Sequence, residues 1–185
     1  MVVVFAVPYA LSWLLYLNPG WFNLGTRNNG SLISPVIEPQ QAPLNHADGQ
    51  PYQVDRESER WTLMMFGGAQ CDAGCEKTLF TLQQLRKMMG VDKAKLRRVY
   101  VMLGSGSSAA LSTQIEKYPG TIVQTADQQT EAFLEQKLEF ESGQLSQKIM
   151  IADPYGNLVM WYPQDIDPKK IFADIEILFG RVKNV

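Results

Sequence analysis

The chain has 185 residues, of which 17 are basic and 19 acidic, and its formal net charge is −2. Hydrophobic residues make up 45% of the chain, which is enough apolar material for the core of one domain. The near-neutral balance excludes the strongly basic footprint of a nucleic-acid-binding protein, so we expect no nucleic-acid partner.

The N-terminal segment carries no charge before Arg27. An apolar stretch of about 20 residues can span a bilayer. The residues that suit a membrane interface are Trp13, Tyr16, Trp21 and Phe22. We therefore predict a transmembrane anchor over residues 1–22. A cleaved signal peptide is disfavoured because the basic flank and the small-residue cleavage site are missing. A buried core helix is the remaining alternative.

Residues 23–43 are rich in Gly, Asn, Ser and Pro, and this composition predicts an extended linker. We place the globular domain at residues 44–185. Asp48-Gly49 predicts a hairpin within residues 44–54. Beyond it, apolar runs and helical periodicity alternate. They predict strands at 61–66, 99–103, 121–124, 148–152 and 158–162, and helices at 73–89, 111–118, 131–140 and 168–180.

Buried strands that alternate with helices predict an α/β fold, in which helices flank a mixed, mostly parallel sheet. A final antiparallel hairpin and a C-terminal helix complete the pattern. The two cysteines, Cys71 and Cys75, lie between the first core strand and the first core helix. This is a thioredoxin-like layout.

Cys71 and Cys75 are the only cysteines of the chain. Three intervening residues allow the loop to bring the sulfurs together as a disulfide. The positive end of a following helix would stabilise a thiolate there. We expect Cys71 to be the exposed nucleophile and Cys75 the resolving thiol. An inert structural disulfide is the alternative.

Metal binding is the second chemistry open to this pair, because two thiolates suit Cu(I). Zinc normally takes four ligands, and the chain adds only one histidine, His46. A lone histidine in a loop is more often a surface residue than a ligand. Met150 is a candidate thioether ligand, although a methionine in a predicted strand is more often part of the core.

The run Phe66-Gly67-Gly68-x-x-Cys71-x-x-x-Cys75 resembles the Sco/SenC family. The hairpin sequence at 151–157 and the segment 28–35 add to the similarity. The resemblance implies a membrane-anchored, thioredoxin-like protein on the oxidising side of the membrane. It also implies that Cys71 and Cys75 are redox-active, copper-binding cysteines serving the copper site of cytochrome c oxidase. The family's third copper ligand, a histidine before the late hairpin, has no counterpart at 142–148.

The missing histidine favours thiol–disulfide exchange over copper delivery. We therefore predict an accessory factor in respiratory oxidase assembly, with an oxidase subunit or assembly factor as partner. It requires no cofactor, and copper binding is transient at most. We place it in the bacterial inner membrane, as a single-pass protein facing the periplasm. The alternatives are a non-catalytic docking module with a structural disulfide, and a copper chaperone that uses His46 or a methionine as third ligand.

Overall fold

A computed structural model describes residues 2–17, 28–104 and 108–182, and every structural statement below concerns these residues. Five α-helices are present in them: α1 Val2–Leu17, α2 Ala73–Met88, α3 Ser108–Ile115, α4 Gln128–Lys137 and α5 Pro168–Val182. Three short 3-10 helices, Arg56–Ser58, Gly90–Lys95 and Gln144–Gln147, are also present in the described residues. Seven strands accompany them: β1 Ser31–Ile37, β2 Asn45–His46, β3 Trp61–Gly67, β4 Leu96–Leu103, β5 Thr121–Ala126, β6 Lys148–Ala152 and β7 Leu158–Pro163.

The described strands form one sheet in the order β1-β7-β6-β3-β4-β5-β2. Strands β3, β4 and β5 pair in parallel, whereas β6 pairs with β3 and β7 with β6 in the antiparallel sense. Every residue of β3 is buried, as expected for a central strand that is covered on both faces. The predicted α/β, thioredoxin-like architecture with a mixed sheet is confirmed. The sheet is not mostly parallel, however, because four of the six pairings between the described strands are antiparallel.

The two faces of the sheet carry separate cores, because successive side chains of a strand point in opposite directions. One core packs α2 and α5 against β3 and β4, and both cysteines belong to it. Its most deeply buried members include Leu63, Met65, Leu79, Leu82, Tyr100 and Ile175. The opposite core contains Met64, Phe66, Val99, Val101, Leu134 and Met150.

The sheet begins earlier in the chain than the sequence analysis placed it. Ser31–Ile37 lie within the predicted linker over residues 23–43, yet they form the edge strand β1 against β7. Ile33 and Ile37 are buried. Within β1 only Ile33 and Ile37 are buried, and Pro35 lies between them. The sequence of β1 therefore lacks the regular alternation of apolar and polar residues by which a strand is predicted. An edge strand tolerates such a proline.

The N-terminal segment is the helix α1, which contains Pro8 and no charged residue. Of the helices in the described residues, none has the length and apolar character required to cross a bilayer. The predicted transmembrane anchor is therefore not confirmed. Its last part, together with the predicted interfacial residues Trp21 and Phe22, lies outside the described residues.

A candidate disulfide site at the start of helix α2

The site occupies the turn between the end of β3 and the start of α2. Gly67 closes the strand, and a Cβ at this position would collide with the hydroxyl group of Tyr100. Asp72 caps the helix, because its side chain accepts a hydrogen bond of 2.8 Å from the backbone N–H of Cys75. The predicted strand, loop and helix are confirmed, and the close approach explains why a glycine ends the strand.

Cys71 and Cys75 form a disulfide, with their Cα atoms 5.2 Å apart. This separation lies within the range of about 7 Å that a disulfide bridges. The expected contact between the two sulfurs is thus present. Neither cysteine is exposed in the disulfide form, since the exposed fractions of Cys71 and Cys75 are 6% and 8%, so the expected exposure of Cys71 is not found. Cys71 is covered because the turn lies against α3.

Gln114 on α3 holds the main chain of Cys71 at two points. The backbone N–H of Cys71 donates a hydrogen bond of 3.0 Å to Oε1 of Gln114. The Nε2 group of Gln114 donates one of 3.1 Å to the carbonyl oxygen of Cys71. The role of Gln114 could not be predicted from the sequence, because it lies 43 positions from Cys71 and nothing in the local pattern connects the two residues.

Tyr100 on β4 lies beneath the turn. Its hydroxyl group donates a hydrogen bond of 2.8 Å to the carbonyl oxygen of Gly68. The hydroxyl oxygen of Tyr100 also lies 4.0 Å from Sγ of Cys75. Burial, and then the negative charge of Asp72, raise the pKa of Tyr100 to about 12, so the phenol stays neutral at physiological pH. The sequence predicts Tyr100 only as part of a buried strand.

His46 does not join the cysteines. It pairs with Gln124 on β5, which pairs with Val101 on β4, which in turn pairs with Phe66 on β3. Three strand spacings separate the main chains of His46 and Phe66 by about 14 Å. The ring of His46 packs edge-on against Tyr52 instead. The prediction of a surface residue rather than a ligand agrees with this placement.

Met150 is also remote from the sulfurs, because it belongs to the core on the opposite face of the sheet. Its neighbour in register on β3 is Met64, which points to that same face. Within residues 2–17, 28–104 and 108–182, no group of three or more His, Cys, Asp or Glu residues could hold a metal ion. Of the candidate ligands named in the sequence analysis, only the two cysteine sulfurs therefore lie at this site.

Residues 61–180 match the family model described as "Transmembrane-like, thioredoxin-like, C-terminal domain". No curated protein matches the chain. The match begins at β3 and ends within α5, so it contains the whole site.

Solved structures of Sco proteins share the fold. Apo Sco1 of Thermus thermophilus is 13% identical, with a TM-score of 0.61 over 84% of this chain and 99% of that one. Yeast Sco1 with copper bound is 16% identical, with a TM-score of 0.57 over 87% and 96% of the two chains. BsSco is 12% identical, with a TM-score of 0.54 over 82% and 95%. Its structure is described as revealing a disulfide switch in a member of the Sco family of cytochrome c oxidase assembly proteins. At these identities the likeness shows a Sco-like thioredoxin fold.

Proposed function

The chain belongs to the family of transmembrane-like, thioredoxin-like C-terminal domains, and from this premise we propose that it exchanges disulfides with a partner through Cys71 and Cys75. The observation that carries the proposal is the disulfide between these residues at the first turn of α2. A helix N-terminus stabilises thiolate, which is the reactive form in exchange.

The exchange proceeds in two balanced steps. The Cys71 thiolate of the reduced protein attacks a disulfide of the partner, which forms a mixed disulfide and releases one partner thiolate. The Cys75 thiolate then attacks the Cys71 sulfur and releases the second partner thiolate. The partner gains two electrons and becomes a dithiol, and the chain is left with the Cys71–Cys75 disulfide.

The proposed partner is a cytochrome c oxidase subunit or an assembly factor of that enzyme. The support comes from BsSco, a fold relative that combines a disulfide switch with membership of an oxidase assembly family. We place the protein in the bacterial inner membrane with its domain in the periplasm. The absence of charge before Arg27 in the sequence supports a membrane anchor, and disulfide chemistry supports an oxidising compartment.

Copper is proposed as a transient cargo of the same pair. Yeast and Arabidopsis Sco structures contain copper. The donor set of this chain fits Cu(I), because two thiolates are soft ligands. In the described residues neither His46 nor Met150 lies at the site to act as a third ligand. We therefore assign the pair mainly to exchange, and Cys71 and Cys75 alone would hold Cu(I).

The test expresses the full-length protein and its variants in a bacterium whose own gene for this protein has been deleted. Cys75→Ser should trap a mixed disulfide through Cys71, visible on a non-reducing gel, whereas Cys71→Ser should trap none. Both variants should lower cytochrome c oxidase activity in membranes. If both variants support normal oxidase activity and trap no partner, the exchange proposal fails and a docking module with a structural disulfide is favoured.

Copper binding is tested separately, by titrating Cu(I) into the reduced protein. One equivalent should bind to the wild type and to His46→Ala, and none to Cys71→Ser. Loss of binding in His46→Ala would instead support a copper chaperone that uses this histidine.

A further inference from the structure

The side-chain amide of Gln114 forms two hydrogen bonds with the main chain of Cys71, in the way that one peptide group bonds to another. The side-chain amide of Gln114 accepts from the Cys71 N–H at 3.0 Å and donates to the Cys71 carbonyl oxygen at 3.1 Å. Both main-chain groups of Cys71 are thereby satisfied by one side chain. The sulfur takes no part in these hydrogen bonds, so the contact is available in the disulfide and in the dithiol form alike.

The helix that carries Gln114 is packed into the core. Gln114 lies on α3 between Leu111 and Ile115, whose side chains are 0% and 5% exposed in the core beneath the cysteines. This packing sets the main-chain position from which the Gln114 side chain reaches the turn.

The two cysteines are held in different ways. Cys75 lies within α2, where the Asp72 cap binds its N–H and its side chain packs beside Tyr100. Cys71 lies before the helix. In the disulfide form the covalent bond restrains it, whereas in the dithiol form that restraint is gone and the Gln114 contacts remain.

From this asymmetry we infer that Gln114 is a positioning residue, which keeps Cys71 within reach of Cys75 when the disulfide is open. The inference rests on the proposed function in that it concerns the same exchange. Holding two reacting groups in place raises their effective concentration. The disulfide already holds Cys71 where both hydrogen bonds form, whereas the dithiol must lose chain freedom to form them. Gln114 therefore favours the disulfide, speeds its closure and makes it harder to reduce.

The equilibrium with glutathione measures this effect directly. The protein disulfide and two glutathione thiols give the protein dithiol and one oxidised glutathione. The reaction is followed with the full-length protein in detergent, by separating alkylated from unalkylated protein. The rate at which Cys75 expels glutathione from Cys71 is measured in parallel.

Gln114→Met is the decisive variant, because it keeps the length of the side chain and removes both hydrogen bonds. We expect the effective concentration of the cysteine pair to fall roughly five- to tenfold in Gln114→Met and in Gln114→Ala. Gln136→Met is the matched control, an exposed position on α4, and it should leave the equilibrium unchanged. If Gln114→Met behaves as the wild type, the inference is overturned and Gln114 only fills space.

Gln114→Glu adds a pH-dependent measurement, whose result would not depend on pH if Gln114 had a purely structural role. An ionised carboxylate accepts from the Cys71 N–H but repels the Cys71 carbonyl oxygen, whereas a protonated carboxyl can again donate. The variant should resemble Gln114→Met at pH 7 and return towards the wild type at about pH 4. The reduction potentials of the two proteins, compared by electrochemistry across that range, supply the measurement. A constant difference across the range would contradict the donor role.

The two proposals fail separately. If the Gln114 variants shift the glutathione equilibrium while the Cys→Ser variants support normal oxidase activity, the positioning role stands and the proposed function falls. If the cysteines are required for oxidase activity but Gln114→Met leaves the equilibrium unchanged, the proposed function stands and the positioning role falls.

Discussion

The backbone N–H of Cys75 donates a hydrogen bond of 2.8 Å to Oδ1 of Asp72. This N-cap places a carboxylate beside the disulfide, at the helix end whose dipole favours negative charge. The same arrangement occurs at α4, where the Thr130 N–H donates a hydrogen bond of 2.7 Å to Asp127. A third aspartate, Asp167, lies just before α5 and accepts a hydrogen bond of 2.9 Å from the Lys169 N–H. Of these three aspartates in the described residues, only Asp72 lies at the cysteines.

Asp72→Asn should make the reduced protein more reactive. Asparagine is also a good N-cap, so the change removes the charge and preserves the helix start. Without the carboxylate, a larger fraction of the cysteines is thiolate, and alkylation by iodoacetamide at pH 7 should accelerate about two- to fivefold. Asp127→Asn is the matched control and should leave the rate unchanged. Equal rates in Asp72→Asn and the wild type would show that the carboxylate does not influence the sulfurs.

Asp127→Ala should reveal an acid-dependent contribution to stability. Hydrogen bonding, chiefly from the backbone N–H of Thr130, lowers the pKa of Asp127 in the folded protein. The ionised cap therefore stabilises the fold above the ordinary aspartate pKa, and this stabilisation is lost as the pH falls through the lowered value. The variant should be about 1 kcal/mol less stable at pH 7. Urea unfolding at a series of pH values should show the difference shrink below about pH 4. A difference that stays constant at every pH would contradict an ionic contribution.

Tyr100→Phe should be less stable than the wild type at neutral pH. The change removes the hydrogen bond to the Gly68 carbonyl oxygen, which is worth about 1 kcal/mol. Because the pKa of Tyr100 is raised to about 12, the neutral phenol contributes fully below pH 10, and its contribution is lost as the pH rises through 12. The stability difference should therefore narrow in alkaline buffer. In an alkaline titration followed by absorbance at 295 nm, the variant should lack one tyrosine that ionises late. An unchanged titration curve would contradict the assignment of the raised pKa to Tyr100.

Asp174→Ala should release residues 29–37, which include β1, from the rest of the domain. The buried Asp174 carboxylate accepts hydrogen bonds from the backbone N–H groups of Asn29 and Gly30 and from the Tyr162 hydroxyl. Its removal leaves these donors unpaired and should destabilise the fold by about 3 kcal/mol. Hydrogen exchange should accelerate at Asn29 and Gly30 and along β1. Asp165→Ala, at an exposed position, is the control, and equal exchange in both variants would show that the carboxylate does not hold the segment.

Most of the elements could be predicted because their signals are local. The apolar run of β3, the helical spacing of Leu79 and Leu82 in α2, and the turn after β6 each lie within a few residues of sequence. The spacing of Cys71 and Cys75 belongs to the same class, and it predicted their disulfide. Strand β1 escaped prediction because Ile33 and Ile37 show that they are core residues only once β7 covers them.

The sequence alone determined a helix-flanked mixed sheet with a cysteine pair at the first helix start, because backbone propensity and hydrophobic period act over short distances. The tertiary structure decided what surrounds that pair. It brings Gln114 from α3 and Tyr100 from β4 to the turn, and it leaves His46 three strands away and Met150 on the opposite face. These contacts depend on strand order, register and helix placement, which many distant contacts decide together.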